Sequence, residues 1–199
     1  MNREELAARL RRSLSANVML DVTAERTLLC HLPEVGEQAF LHTVFSGISR
    51  HQVIGAANAN QLEIPESFVS MLESFNGAIL FKGSLSLFGI VQSFTRNPAV
   101  RQPFDFLNGN KFGRPLAAQS SDFFIGGMSW DGSLLFLEGD SPTVLRRSRE
   151  SRNVINTWPS IEVLLEERIA ELEKLFDEHG RKIDKKAPTA PLAMQTRVH

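Results

Sequence analysis

The residues of this chain that could do chemistry are few and scattered. Its five histidines are His31, His42, His51, His179 and His199. None has a second His, Cys or carboxylate at the spacing of a metal-binding helix such as H-E-x-x-H. Cys30-His31 and Ser120-Ser121-Asp122 come nearest to nucleophile fragments. Adjacent residues of a strand point to opposite faces, so Cys30 and His31 make no nucleophile–base pair without a kink. A buried structural cysteine is the simpler reading. Gly109, Gly113 and Gly126-Gly127 do not lead into a helix that carries Lys or Ser/Thr, as a phosphate cradle requires. Glycine within a hairpin strand marks a bulge or a close backbone approach instead. The expectation is no enzyme, no catalytic residue, no metal site and no cofactor, because nucleophile, base and orienter never form a set.

The sharpest polar feature is Arg146-Arg147-Ser148-Arg149-Glu150-Ser151-Arg152. Two readings are open. Arg146, Arg147, Arg149 and Arg152 can grip phosphate or an acidic partner surface. Equally, they can lie in a solvated loop and pair with Glu138, Asp140 or Glu150. Trp130, at a hairpin tip, is either core or an exposed anchor. Glu162, Glu166, Glu167, Glu171 and Glu173 make one face of the last helix acidic, which reads most simply as a solvated face.

The elements that position these residues follow from periodicity and breakers. Leu6, Leu10 and Leu14 predict an amphipathic helix over 4–14, and Val18, Leu20 and Val22 a strand within 17–32. Phe40, Leu41, Val44, Phe45 and Ile48 carry a helical period over 36–48, and 50–62 suits another helix. Pro65 opens a helix through Phe68, Leu72 and Phe75, and Asn76-Gly77 reads as its left-handed stop. Residues 79–94 are strand-like with a break at Lys82-Gly83. Pro98, Pro103 and Pro115 with Gly109 and Gly113 predict a long excursion over 95–121, tacked down by Phe104, Phe106, Leu107 and Phe112. Asp131-Gly132 centres a hairpin over 123–137 in which Gly127 faces Phe136. Residues 143–156 are extended, 160–179 form the final helix, and Gly180 ends it.

Composition bounds the function. The chain has 199 residues, a formal charge of -1, one cysteine, fourteen Phe and no Tyr. That charge argues against whole-domain attraction to nucleic acid or to anionic membrane. A lone cysteine excludes an intrachain disulfide framework, and no apolar run has the roughly 20 residues of a membrane span. Residues 1–20 lack the apolar segment of a signal peptide, so the expected location is the cytoplasm.

Ile64-Pro65…Asn76-Gly77, Leu87-Phe88-Gly89-Ile90, Phe124-Ile125-Gly126-Gly127…Asp131-Gly132 and Ser160 with the last helix occur in that order. In this the chain resembles the SUKH superfamily of Smi/Knr-like proteins over roughly residues 50–178. Ala78 stands where the family often has a second glycine, and Phe68 where it has Tyr. The resemblance makes Pro65, Asn76, Gly77, Gly89, Asp131 and Gly132 structural motif residues. It implies an α+β fold: a curved, mainly antiparallel sheet flanked by N-terminal helices and a long C-terminal helix. Residues 1–48 are then an N-terminal extension packing on the domain, 49–180 the Smi/Knr-like domain, and 181–199 a disordered basic tail. It also implies a non-enzymatic protein-binding module, an immunity-type protein that binds and neutralises a cognate toxin. The alternative is a regulatory scaffold contacting nucleic acid or a phospho-ligand through Arg146–Arg152. Trp130, the arginines and the 95–121 segment are the expected contact surface, and the partner is another protein, a toxin or a signalling client.

Overall fold

The computed structural model describes residues 1–16, 18–92 and 102–193. Phe94, Pro98, Arg197 and His199, which the sequence reading used, lie outside these residues. Nine strands pair antiparallel in chain order to form one open sheet. They are β1 (Leu20–Val22), β2 (Arg26–His31), β3 (Phe40–Ser46), β4 (Phe75–Leu80), β5 (Leu85–Leu87), β6 (Asp122–Gly127), β7 (Leu134–Glu138), β8 (Val144–Arg147) and β9 (Val154–Trp158). Helices α1 (Arg3–Arg11), α2 (Arg50–Asn60), α3 (Glu66–Ser74) and α4 (Ile161–Leu172) complete an α+β fold.

The helices begin where their capping chemistry says. Asn2 and Glu5 form a capping box on α1, Ser49 and Gln52 one on α2, and Ser160 caps α4. Leu6 and Leu10 of α1, Phe68 and Leu72 of α3, and Leu164, Leu165 and Ile169 of α4 join one core with Phe123, Ile125, Leu135 and Leu137 of the sheet. Arg9 grips Glu173 through two bonds of 2.5 and 2.8 Å, tying α1 to the turn after α4. On the opposite sheet face Phe124, Phe136 and Leu145 form a second, smaller cluster.

Several expectations are corrected. Residues 36–48 hold β3, not a helix. Leu41 to Phe45 are buried on both faces of the sheet, so the alternation that marks a half-exposed strand is missing. Asn76-Gly77 does not stop α3, because Phe75 is already extended and the pair belongs to β4. The Asn76 side chain accepts the Ile90 N–H at 2.7 Å and donates to the Ile90 carbonyl at 2.9 Å. A Cβ on Gly89 would lie 2.2 Å from the Asn76 carbonyl oxygen, so Asn76 and Gly89 form a close backbone crossing. Gly77, at φ +87°, lies against Leu87 to Gly89 in the same crossing.

The hairpin register is also different, with Gly127 facing Leu134 and Gly126 facing Leu135. Asp131 accepts the Ser133 N–H at 3.0 Å, an Asx turn that widens the loop. Gly126 is required by β5, since a Cβ there would lie 2.1 Å from the Ser86 carbonyl oxygen. Finally, α4 ends at Leu172, and residues 181–193 are not a free tail. They run back across the helix side of the sheet, with Thr189 and Ala190 buried. Residues 1–48, expected as an extension packing on the domain, contribute α1 and β1–β3 to the same sheet and core.

His42 in β3 is fully buried, with its ring edge-on to Phe81 at 4.5 Å. Its Nδ1 accepts the Phe81 N–H at 3.3 Å, which leaves the ring proton on Nε2. Burial pulls this imidazole from 6.5 down to about 3. The unfolded chain therefore binds this proton below about pH 6.5, whereas the folded chain binds it only below about pH 3. The contribution is intact above the unfolded value and is lost as the pH falls toward the folded one, at about 1.4 kcal/mol per pH unit. Urea unfolding between about pH 6 and pH 4 should show this excess slope over His42→Gln. Identical slopes would contradict the buried neutral imidazole.

Candidate functional site

Arg146 and Arg147 are neighbours on β8, so they point to opposite faces of the sheet. Arg147, 1% exposed, pairs through Nη1 with the fully buried Asp122 carboxylate. The same nitrogen donates to the Ala117 carbonyl at 3.3 Å, and the guanidinium lies 5.4 Å from the Phe136 ring centre. Arg146, 2% exposed, donates from Nε to Ser133 Oγ at 2.8 Å and from Nη1 to Asn156 Oδ1 at 2.6 Å. Its Nη2 pairs with Asp131. Burial alone would raise the Asp131 carboxyl; the bonds from Ser133 and the Arg146 charge outweigh it and hold the carboxyl below the ordinary aspartate value.

This corrects the expectation for the arginine run. Arg146 and Arg147 are held inside the fold and stand on no exposed surface. Their counter-ions are Asp131 and Asp122, not Glu138, Asp140 or Glu150. Only Arg149 and Arg152 are exposed. Trp130 is 46% exposed, with the Lys182 ammonium 4.4 Å from its ring centre, so one side of the hairpin tip is already covered. The motif residues Asn76, Gly77, Gly89, Asp131 and Gly132 all serve close backbone approaches or turns. Pro65 caps the start of α3.

The nucleophile fragments dissolve in the same way. Cys30 Sγ is buried and donates to the His179 carbonyl at 3.2 Å, and burial raises its thiol above the ordinary value. His31 Nε2 faces the Glu37 carbonyl at 2.8 Å. Asp122 serves Arg147. Among the described residues no three His, Cys, Asp or Glu side chains are placed to hold a metal ion.

One surface that remains is the excursion over 102–121, which is anchored at several points. Gly89 and Phe104 to Phe106 exchange backbone bonds of 2.8 and 3.0 Å, which carries the sheet one step past β5. Phe106 enters the main core beside Phe68 and Phe123. Asn110 accepts the Phe124 N–H at 2.8 Å and donates to the Phe124 carbonyl at 2.7 Å, imitating the strand pairing that β5 no longer supplies. Gly109 lies on the Phe124 ring, which a Cβ would approach to 2.2 Å. Arg114 Nη2 gathers the carbonyls of Gln119, Ser120 and Asp122, and closes the far end of the loop. Phe104 and Phe112, expected as tacks, face outward; Phe106 and Leu107 do that work. Phe112 is 69% exposed and Leu116 88%. Beside them, Pro65, Asn110, Arg114 and Asp140 line an open cleft of about 520 Å³.

Sequence reasoning missed Asn110 and Arg168, and read Asp122 as part of a nucleophile fragment, not as the partner of Arg147. Strand alternation applied to Arg146-Arg147 was the available signal that one arginine, at least, must turn inward. Comparison of the chain with protein-family models, curated proteins and solved structures finds no match.

Replacing Arg147 by Met should cost about 3–5 kcal/mol in urea unfolding, because Asp122 is left as an unpaired buried charge. Arg149→Ala and Arg152→Ala should each change stability by less than about 0.5 kcal/mol. Equally small effects at all three positions would move Arg147 out of the core.

Proposed function

We propose that this chain is a non-enzymatic protein-binding module of the Smi/Knr-like type. In this reading it acts in the cytoplasm as an immunity-type protein that occludes a cognate toxin. The observation that carries the reading is the excursion. Phe106, Asn110 and Ala117 fasten it to the sheet, while Phe112 and Leu116 stand out from it. A large apolar side chain held out on a fixed backbone loses little entropy when a partner covers it, and such groups dominate interface energies. Phe112 is further restrained by Lys111, whose ammonium lies 5.5 Å from the ring centre and also donates to Asn60 Oδ1 at 3.1 Å. The motif resemblance supports the immunity role and gives the partner class.

With recognition resting on apolar contact, binding should survive high salt, unlike a phosphate-gripping surface. Tagged chain should capture one protein in equal amounts from its native lysate at low and at high salt. Phe112→Ser with Leu116→Asp should abolish capture while shifting Tm by no more than about 2 °C. Capture that ignores the double substitution, or nucleic acid as the captured species, would overturn the reading.

A further inference from the structure

Segment 181–193 ends its path in a site made by three buried polar side chains from three elements: Arg146 of β8, Asn156 of β9 and Arg168 of α4. Arg168 Nη2 donates to the Thr189 carbonyl at 2.6 Å, Arg146 Nη1 to the Pro191 carbonyl at 2.7 Å, and Asn156 Nδ2 to the Leu192 carbonyl at 3.2 Å. Each of these bonds reads the main chain of the segment, so residues 189–192 lie there as a peptide lies in a receptor. Ala190 is the side chain that enters the core.

This occupant carries no charge of its own into the site, where each guanidinium has one exposed or partly exposed carboxylate partner. Burial, and then the neighbouring Arg146 charge, pull the Arg168 guanidinium down to about 10. Arg168 Nε is buried and has no hydrogen-bond partner among the described residues. Its ion pair is with Glu171, an exposed carboxylate one turn along the same helix. Glu167 is engaged by the Trp158 indole N–H at 2.9 Å. Arg146 has Asp131, itself partly exposed. The segment brings only neutral carbonyls to two crowded guanidiniums, whereas a carboxylate makes roughly twice as strong a hydrogen bond to such a group.

We propose that Arg146, Asn156 and Arg168 form a binding site for an extended, carboxylate-bearing peptide segment of another protein, and that residues 189–192 are an internal stand-in which this peptide displaces. The inference is independent of the toxin reading, because it concerns a different face of the sheet from Phe112 and Leu116. Carboxylate entry supplies Arg168 Nε with an acceptor and relieves the repulsion between the two cations. The backbone of the incoming peptide inherits the carbonyl contacts at Arg146 and Asn156.

The test uses the full chain and two fluorescein-labelled heptapeptides. One is Ala-Pro-Thr-Ala-Pro-Leu-Ala, the sequence of residues 187–193; the other carries Glu in place of Thr. Anisotropy should show the Glu peptide binding at least about tenfold tighter, a difference of about 1.4 kcal/mol. Hydrogen exchange at the amides of Ala190 and Leu192 should speed up as it binds. Ala190→Arg, which overfills a buried position and lifts the segment, should tighten binding of the Glu peptide by about another tenfold. Arg168→Gln should erase the difference between the peptides. Equal affinities on the unmutated chain would overturn the proposal without recourse to any variant. So would binding that leaves the exchange of residues 189–192 unchanged. A preference for the neutral peptide, together with a dimer in light scattering, would assign the site to a second copy's segment and also overturn it.

Discussion

Two adjacent arginines on one strand, both buried, constrain everything around them. Arg146 and Arg147 of β8 point to opposite faces, so neither face of the sheet can be left open to water at that point. A guanidinium out of water needs a counter-ion and further acceptors. On one face Asp122 and the Ala117 carbonyl meet Arg147, and the excursion must fold over β6 to β8 to close that contact. On the other face Asp131, Ser133, Asn156 and the Pro191 carbonyl meet Arg146, and this requires the widened hairpin loop and the returning segment. The irregular parts of the molecule are therefore where they are because β8 carries charge on both sides.

Two asparagines make the covering exact enough to hold. Asn76 clamps the peptide unit of Ile90, and Asn110 clamps that of Phe124, each with one accepted and one donated bond. A side-chain amide that reproduces strand pairing lets the sheet continue where no strand is available, and keeps buried N–H and C=O groups satisfied. Gly89 and Gly109 permit the contacts by giving up the Cβ that would strike Asn76 and Phe124. The Gly89 backbone bonds to Phe104 and Phe106 and the Asn110 clamp fix the stretch 104–110, and Phe112 and Leu116 follow directly from it. The outward surface is thus a consequence of the inward one.

Much of this framework was legible in the sequence. Leucine spacing placed α1, the Pro65 helix emerged from its aromatic period, and Asp131-Gly132 marked a hairpin. The prolines and glycines marked the excursion. Long-range choices were not legible. β3 lacks alternation because both of its faces are buried, and that depends on partners distant in the chain. The hairpin register turned on an Asx bond and on Ser86, neither visible in the turn dipeptide. Arg146 and Arg147 read as solvated because their carboxylates lie 15 and 25 positions away in the chain. Residues 181–193 read as a tail because the groups that hold them, Arg146, Asn156 and Arg168, belong to three other elements.

The most direct measurement is a double-mutant cycle on Arg147→Met and Asp122→Leu, read by urea unfolding. A dry pair that dictates the covering of its face gives a coupling of about 2–3 kcal/mol, with the doubly substituted chain recovering much of the stability that either single change removes. A coupling below about 0.5 kcal/mol, with additive losses, would mean that water reaches both groups. The excursion would then be held by something other than the charge on β8.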